Sequence, residues 1–234
     1  AAIGEMTATI VHDLRNPMTT IVALLDTSSE AIESGEDLAE VAEDLRTVNS
    51  QAQRVIHMLS ELLVFVRTGA ENIRLEPTNV HDFISDTLSN LSLSSRVSKA
   101  PLICELDLAE DFFMHLDQGR VQRVLENLVN NACDAACAQS RSGGEGKVWV
   151  NAAYKDDCLV VRIADNGTGI PPEMAEQIFK PFVTSGKNNG TGLGLATVRS
   201  LVRSHGGDVL VEPQSPEGGA AFTVRIPRPS LDMS

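Results

Sequence analysis

The sequence predicts an α+β chain in which a long helical hairpin precedes a domain of mixed helices and strands. Over Ile3–Val66, apolar residues recur at steps of three and four, as they do along one face of a helix. Beyond Pro77 the pattern changes to short alternating runs that are separated by turn residues. The polar stretch Gly69–Pro77 marks the boundary between the two patterns. We therefore expect two domains, at residues 1–70 and 71–234.

The composition is that of a globular protein with a sizeable core, because 42% of the 234 residues are hydrophobic. The net charge of −13 argues against a nucleic-acid-binding surface and against an anionic membrane surface. No apolar run approaches the roughly 20 residues that span a bilayer, and the chain begins within a helical pattern rather than a signal peptide. We expect a cytoplasmic piece of a longer protein, whether or not that protein is anchored in a membrane elsewhere.

The cysteines form no CxxC pair; they are Cys104, Cys133, Cys137 and Cys158. Cys133 and Cys137 are one helical turn apart, but no second pair of ligands accompanies them. We therefore favour buried thiols in a reducing compartment over a metal site or a disulfide.

The first helix is predicted from Ile3 to Leu25, and it holds His12 away from its apolar stripe. The stripe consists of Ile3, Met6, Ile10, Leu14, Ile21 and Leu24. At about 100° per residue, His12 projects roughly 165° from the centre of the stripe. Asn16 follows one turn later on nearly the same face, and Asp13 lies beside His12. An exposed histidine is most often an ordinary surface residue, but the adjacent carboxylate makes His12 a candidate catalytic residue.

The second helix follows a predicted turn at residues 33–36 and repeats apolar residues at coiled-coil spacing. The repeat consists of Leu38, Val41, Leu45, Val48, Ala52, Val55, Leu59, Leu62 and Val66. Two antiparallel helices cannot bury both of their apolar faces against each other. We therefore predict that two hairpins associate as a dimeric four-helix bundle. The alternative is a hairpin that packs on its own C-terminal domain.

The remaining elements alternate between helices and strands. Helices are predicted at residues 80–93, 117–138 with Asp117 as the cap, 173–178 and 191–204. Strands are predicted at residues 102–108, 148–154, 159–164, 209–211 and 221–226.

Asparagines on the helix that follows Asp117 form the first motif of this domain. Asn127 and Asn131 are four residues apart, so both amides lie on the same face. Neutral amide oxygens suit a Mg²⁺ ion that keeps several waters and takes its negative charge from phosphates. Helical asparagine pairs also occur as ordinary surface residues.

Two glycine-rich motifs follow. In Asp165–Pro171, a carboxylate at a strand end can accept a hydrogen bond from an exocyclic amine, and glycines allow the backbone to approach a planar ring. In Gly190–Ala196, a helix begins, and its free N–H groups can hold phosphates. The spacing differs from the dinucleotide fingerprint and from a Walker P-loop. Taken alone, the first motif is equally typical of a glycine-rich turn.

In this order, the motifs resemble those of the histidine protein kinases of two-component signalling, over essentially the whole chain. His12–Pro17 is similar to the H box, Asn127–Ala132 to the N box and Asp165–Pro171 to the G1 box. Ile178–Phe182 is similar to the F box and Gly190–Leu195 to the G2 box. The resemblance implies a dimerisation and histidine-phosphotransfer bundle, followed by an ATP-binding α/β sandwich of the Bergerat (GHKL) type.

The resemblance implies that His12 accepts the γ-phosphoryl group of ATP and passes it to an aspartate of a response-regulator receiver domain. Asp13 is expected to hold the other ring nitrogen of His12. Asn16 is expected to act in dephosphorylation of that regulator. The other implied partner is a second copy of the chain, with the input sensor domain outside it.

For the nucleotide, the resemblance implies that Asn131 is a Mg²⁺ ligand and that Asp165 binds the amine of adenine. Lys187, in the short lid Val183–Asn189, is expected to reach a phosphate. The other candidate nucleotide-binding residues are Asn127, Gly167, Gly169, Ile170, Gly190, Thr191, Gly192, Leu193 and Gly194.

Two other functions stay open at this point. The chain could be a Bergerat-type ATPase whose hairpin serves only in dimerisation, as in the related chaperone and mismatch-repair ATPases. It could also be a scaffold that keeps the fold without turnover.

Overall fold

A computed structural model of the chain describes residues 2–34, 38–68, 73–93, 100–141, 144–183 and 192–229. Its first two elements are the helices α1 (Ala2–Ser34) and α2 (Leu38–Thr68). The hydroxyl of Ser28 on α1 donates to Oδ2 of Asp44 on α2 at 3.3 Å. Because these two residues lie at equal distances from the connection, the helices run antiparallel, as the sequence predicts.

A single hairpin covers only part of its apolar surface. Val41 is buried at 5% exposure, whereas Leu38 and Leu45 of the same heptad repeat are 71% and 48% exposed. On α1, Val22 is 54% exposed. Exposed apolar side chains of this kind are available for packing against another protein segment.

The remaining elements form one α/β domain. In chain order they are β1 (Glu76–Asn79), α3 (Val80–Ser92), β2 (Leu102–Asp107), β3 (Phe113–Leu116), α4 (Gln118–Arg141), β4 (Val148–Lys155), β5 (Cys158–Asp165), α5 (Gly194–Ser204), β6 (Asp208–Glu212) and β7 (Ala221–Pro227). The five-stranded sheet has the order β2-β4-β5-β7-β6, in which only the β2–β4 pair is parallel. Strands β1 and β3 form a separate antiparallel pair.

Strand β5 shows why the domain is a two-layer sandwich. Its side chains Leu159, Val161 and Ile163 are buried in a core that they share with α4. The alternate side chains, such as Arg162, lie on the opposite face and are only half-buried. A two-residue turn at Asp156 and Asp157, both with positive φ, joins β5 to β4. The fold class that the sequence predicts, a helical hairpin followed by an α/β sandwich, is confirmed.

Two local predictions are wrong. The sequence analysis missed β1 and β3, because β1 contains Pro77 and is only four residues long, too short for an alternating pattern. A helix was predicted at residues 173–178, but the structure has a 3-10 helix at Pro172–Met174 followed by turns. Pro181 ends this segment, and it disfavours the α conformation of the residue before it.

The cysteines are free, as expected, but not all of them are buried. Cys133 is buried, and desolvation raises the pKa of its thiol to about 12. Cys104 is exposed, because it lies on the edge strand β2. Within the described ranges, no helix is both long and apolar enough to cross a membrane.

Candidate functional site

The candidate phosphoacceptor lies on α1. His12 and Asn16 are both exposed, one helical turn apart, so they share a solvent-facing side of the helix as predicted. Asp13 lies in α1 between them, but its side chain is outside the described part of the structure. Pro17 is buried and lacks an N–H group. The hydroxyl of Thr20 donates to the backbone carbonyl of Asn16 at 3.2 Å. This contact does not use the side-chain amide of Asn16, and the residue is exposed.

Helix α4 carries the two candidate asparagines, and Asp117 caps it as predicted. The Oδ1 atom of Asp117 accepts a hydrogen bond from the N–H of Arg120 at 3.1 Å. Asn127 and Asn131 are both half-buried. The side-chain nitrogen of Asn127 donates to the carbonyl of Arg123 at 2.8 Å, so this amide is held by its own helix.

The side chain of Asn131 suits a Mg²⁺ ion whose charge is balanced mainly by phosphates. Among the described residues, no group of three or more His, Cys, Asp or Glu side chains could hold a metal ion. Asn131 offers a half-buried amide oxygen, a ligand type that Mg²⁺ accepts. The nearby Cys133 stays a neutral thiol because its pKa is raised.

Asp165 ends β5, and it is the most closely held of the candidate residues. Its side chain is buried at 3% exposure. Its Oδ1 atom accepts hydrogen bonds from the N–H of Gly167 at 2.8 Å and of Ala220 at 3.4 Å. The backbone of Asp165 also pairs with the start of β7, because its N–H donates to Ala220 at 3.0 Å and its carbonyl accepts from Gly219 at 3.0 Å. The carboxylate is therefore fixed from both sides.

The glycines after Asp165 are required by protein packing, which differs from the sequence-based reason of close approach to a ring. A Cβ atom on Gly167 would lie 2.7 Å from the backbone of Ala135 on α4. Gly169 has a φ of +70°, and a Cβ atom there would overlap the side chain of Gln214. The neighbouring Ile170 is buried in the core. These residues hold the segment in place between α4 and the β6–β7 loop.

The second glycine motif begins α5, and its first residues lie next to the F-box segment. Gly192 has a φ of +68°, and its carbonyl accepts a hydrogen bond from the N–H of Phe182 at 2.9 Å. The residues Phe182 and Gly192, on either side of the predicted lid, are therefore hydrogen-bonded to each other. Leu193 is buried, and α5 starts at Gly194, three residues later than predicted. Three candidates lie outside the described residues: Lys187, Gly190 and Thr191.

Sequence reasoning missed Gly219. A Cβ atom there would overlap Oδ1 of Asp165 and would lie 2.5 Å from the nitrogen of Gly167. Only a glycine allows the β6–β7 loop to lie this close to the carboxylate. The available signal was the pair Gly218-Gly219 directly before a strand, which is typical of a close backbone approach.

His205 has a structural role at the junction of α4 and α5. Its Nε2 atom accepts a hydrogen bond from the N–H of Asp117 at 3.2 Å, and its Nδ1 atom lies 2.9 Å from the carbonyl of Leu201. Burial lowers the pKa of His205, which favours the neutral ring that this arrangement requires. The ring thus ties the end of α5 to the start of α4.

Two protein families match the chain. Residues 2–71 match the His Kinase A (phospho-acceptor) domain. Residues 116–230 match the histidine kinase-, DNA gyrase B- and HSP90-like ATPase family. The fold and the two sites together define a class of protein in which a phosphoacceptor hairpin precedes an ATPase-type domain.

Curated relatives cover almost the whole chain. The sensor histidine kinase ZraS of Salmonella typhi is 32% identical over 230 residues, which are 97% of this chain and 46% of that protein. The C4-dicarboxylate transport sensor protein DctB of Rhizobium meliloti is 30% identical over 227 residues, which are 97% of this chain and 35% of that protein. This chain thus spans less than half the length of either relative.

Solved structures agree with this assignment. The catalytic domain of histidine kinase ThkA is 30% identical with a TM-score of 0.56, covering 67% of this chain and 97% of that chain. Histidine kinase ThkA in complex with response regulator protein TrrA is 25% identical with a TM-score of 0.78, covering 97% of this chain and 62% of that chain. The chain belongs to the sensor histidine kinases of two-component signalling.

Proposed function

We propose that this chain transfers the γ-phosphoryl group of ATP to His12 and then to an aspartate of a response-regulator receiver domain. One observation carries the proposal: an exposed histidine on a helical hairpin and an ATPase-type domain with a buried, fixed carboxylate occur in one chain. The printed names of the relatives, and the solved complex of ThkA with a response regulator, support the same function.

His12 supplies the nucleophile. A neutral ring nitrogen attacks the γ-phosphorus in line, the N–P bond forms, and the bond from the γ-phosphorus to the bridging oxygen breaks, so that ADP leaves with the electron pair. The N–H of the other ring nitrogen donates a hydrogen bond to Asp13, which fixes the tautomer and stabilises the imidazolium that develops. Since α1 holds His12 on an exposed face, the γ-phosphate of ATP can reach the ring without rearrangement of the helix.

The nucleotide is assigned to the residues that α4, β5 and α5 bring together. Asp165 accepts a hydrogen bond from the amine of adenine. The N–H groups at Gly192–Gly194 and the side chain of Lys187 contact phosphates. Asn131 is the protein ligand of Mg²⁺, which supplies positive charge to the phosphates when bound.

We further propose that residues 1–70 form the dimerisation and phosphotransfer domain and residues 71–234 the ATP-binding domain. The exposed apolar side chains on α1 and α2 support a dimeric four-helix bundle. The N–H of Arg74 donates to Oδ2 of Asp117 at 3.1 Å, so this part of the linker is attached to the ATP-binding domain. The ATP-binding domain has to approach His12 for transfer, so the two domains move relative to each other in the proposed reaction.

Incubation of the purified chain with γ-labelled ATP and Mg²⁺ tests the proposal. Label should appear on the protein and should pass to a receiver domain that is added afterwards. Release of free phosphate without labelled protein would instead indicate a Bergerat-type ATPase. Nucleotide binding without either product would indicate a scaffold.

We expect Asn131→Ala to remove Mg-ATP-dependent labelling while the dimer stays intact. The substitution deletes the amide that is assigned to the metal, whereas the hairpin lies in another domain. The matched control is Asn130→Ala, which changes the neighbouring half-buried asparagine of α4 but points about 100° away. Sedimentation should show a dimer for both variants and for residues 1–70 alone. A monomeric 1–70 fragment at micromolar concentration would contradict the dimeric bundle.

We also propose that the chain dephosphorylates its regulator and that Asn16 positions the attacking water. The Asn16 amide is exposed on the side of α1 that carries His12, where a phosphorylated receiver would dock. An amide does not titrate near neutrality, so it can orient water without acting as a base, and positioning alone supplies a large share of such rates.

Asn16→Ala should therefore slow the loss of phosphate from the regulator about tenfold while it largely spares labelling of His12. The alternative is that Asn16 only adjusts the backbone before Pro17. Thr20→Val is the control, because it removes the hydroxyl that contacts the Asn16 carbonyl. If Asn16→Ala lowers both activities together, or if Thr20→Val reproduces its effect, the residue is structural.

A further inference from the structure

The loop between β6 and β7, Pro213–Ala220, contacts the segment that follows β5 at both of its ends. The N–H of Ile170 donates to the carbonyl of Pro213 at 2.9 Å. At the other end of the loop, Gly219 and Ala220 hydrogen-bond to the backbone and carboxylate of Asp165. The loop therefore forms one wall against the carboxylate that is assigned to adenine.

This loop has little rigidity of its own near Asp165. Gly218 has a φ of +105°, and no atom lies within 4 Å of the position that its Cβ would take. Gly218 and Gly219 are adjacent, and two consecutive glycines give the unfolded and the folded loop many backbone conformations. Internally, the N–H of Ser215 donates to the carbonyl of Gly219 at 2.7 Å. Backbone hydrogen bonds attach the two ends of the loop to Ile170 and Asp165, and the side chain of Glu217, next to Gly218, adds a contact between the tip of the loop and β5.

Arg162 provides that contact. Its Nη1 and Nη2 atoms donate to the two carboxylate oxygens of Glu217 at 2.7 and 2.9 Å, which is a bidentate pair. Contacts to Glu212 are longer, at 3.3 and 3.5 Å. The hydrogen bonds from Arg162 lower the pKa of Glu217 to about 2, so the pair is ionised at every pH at which the protein would be assayed.

The position of the pair excludes direct contact with a nucleotide beside Asp165. Arg162 lies three residues before Asp165 in β5, and the alternation of the strand places the two side chains on opposite faces of the sheet. Both side chains of the pair are partly shielded, at 23% exposure for Arg162 and 22% for Glu217. The pair can therefore act on the nucleotide only through the backbone that it restrains.

We propose that the Arg162–Glu217 pair is a positioning element for the nucleotide base: it fixes the Pro213–Ala220 loop against β5 and thereby holds the Asp165 carboxylate in place. The inference rests on the proposed binding of ATP by this domain. Loss of the pair allows Gly218 and Gly219 to move. The hydrogen bond from Ala220 to Asp165 is then weaker, and the Asp165 carboxylate is held less firmly.

Titration of the full chain with Mg-ATP and with Mg-GTP tests this role. Arg162→Met and Glu217→Gln should each raise the Kd for ATP about fivefold, and the double variant should raise it no further than either single one, because both remove the same contact. Preference for ATP over GTP should fall, since Asp165 is assigned to the adenine amine. Glu212→Gln should have a smaller effect, because its contacts are longer.

Arg225→Met is the matched control. Arg225 lies on the same face of the sheet in β7 and pairs with Asp156 at 3.6 Å, away from the loop. The Kd of the Arg225→Met variant for ATP should stay at the wild-type value. General destabilisation would raise the apparent Kd only if an appreciable fraction of the chain is unfolded, so the midpoint of thermal unfolding, measured for each variant, separates that effect from positioning. An unchanged Kd in Arg162→Met, with wild-type binding intact, overturns the inference; absence of ATP binding by the wild-type chain removes the proposed function itself.

Discussion

His12→Gln should abolish the phosphoryl group that the chain acquires from Mg-ATP. Glutamine is similar in length and polarity, but its amide nitrogen is not a nucleophile at neutral pH, so no N–P bond can form. The label on the wild-type chain should be lost in acid and kept in alkali, as expected for phosphohistidine. Because His12 is exposed on α1, the substitution should leave the hairpin folded.

His81→Gln is the control for this prediction. His81 is half-buried near the start of α3, and its Nδ1 atom lies 3.3 Å from Oδ1 of Asp82, so it also has a carboxylate neighbour. Its replacement should leave labelling unchanged. Full labelling of His12→Gln would show that another side chain accepts the phosphoryl group.

Gly219→Ala should weaken ATP binding at least about fivefold, because overpacking of this kind costs about 1–3 kcal/mol. The added methyl group would overlap Oδ1 of Asp165 and would lie 2.6 Å from the carbonyl oxygen of the same residue. Either the carboxylate or the start of β7 has to move, and both changes displace the group that is assigned to adenine. Isothermal titration with Mg-ATP measures the loss.

Gly119→Ala is the matched control for that substitution. At this position in the first turn of α4, a Cβ atom would lie 3.7 Å from Oδ1 of Asp117, which is an ordinary contact. Alanine also favours the helix over glycine by about 1 kcal/mol. Wild-type affinity in Gly219→Ala would mean that the loop is free to retreat and that Asp165 does not depend on it.

The elements with long, regular patterns could be predicted from the sequence. Helix α2 repeats its apolar residues over about four heptads, and Asp117 marks the start of α4 with a capping side chain. In the same way, buried and less buried residues alternate over the first six positions of β4 and of β5. Each of these signals is local, because period and cap are written within the element itself.

The parts that could not be predicted depend on contacts between distant residues. Gly219 is restricted by the Asp165 carboxylate, and Arg162 restrains the loop through Glu217, yet no spacing in the sequence connects these positions. The packing of Gly167 is of the same kind, since a Cβ atom there would lie 2.7 Å from the backbone of Ala135 on α4. The assignments of individual residues to ATP and Mg²⁺ stay predictions for the experiments above.

The tight turn at Asp156 and Asp157 allows one part of the domain to fold before the rest during synthesis. Strands β4 and β5 are joined by only this turn, so their hairpin can close within microseconds once both strands have left the ribosome. Asp165, in contrast, depends on Ala220, which is 55 residues further along the chain. A nascent chain therefore completes the hydrogen bonds of the Asp165 carboxylate only after Ala220 emerges, and we expect that incomplete chains do not compete for cellular nucleotide.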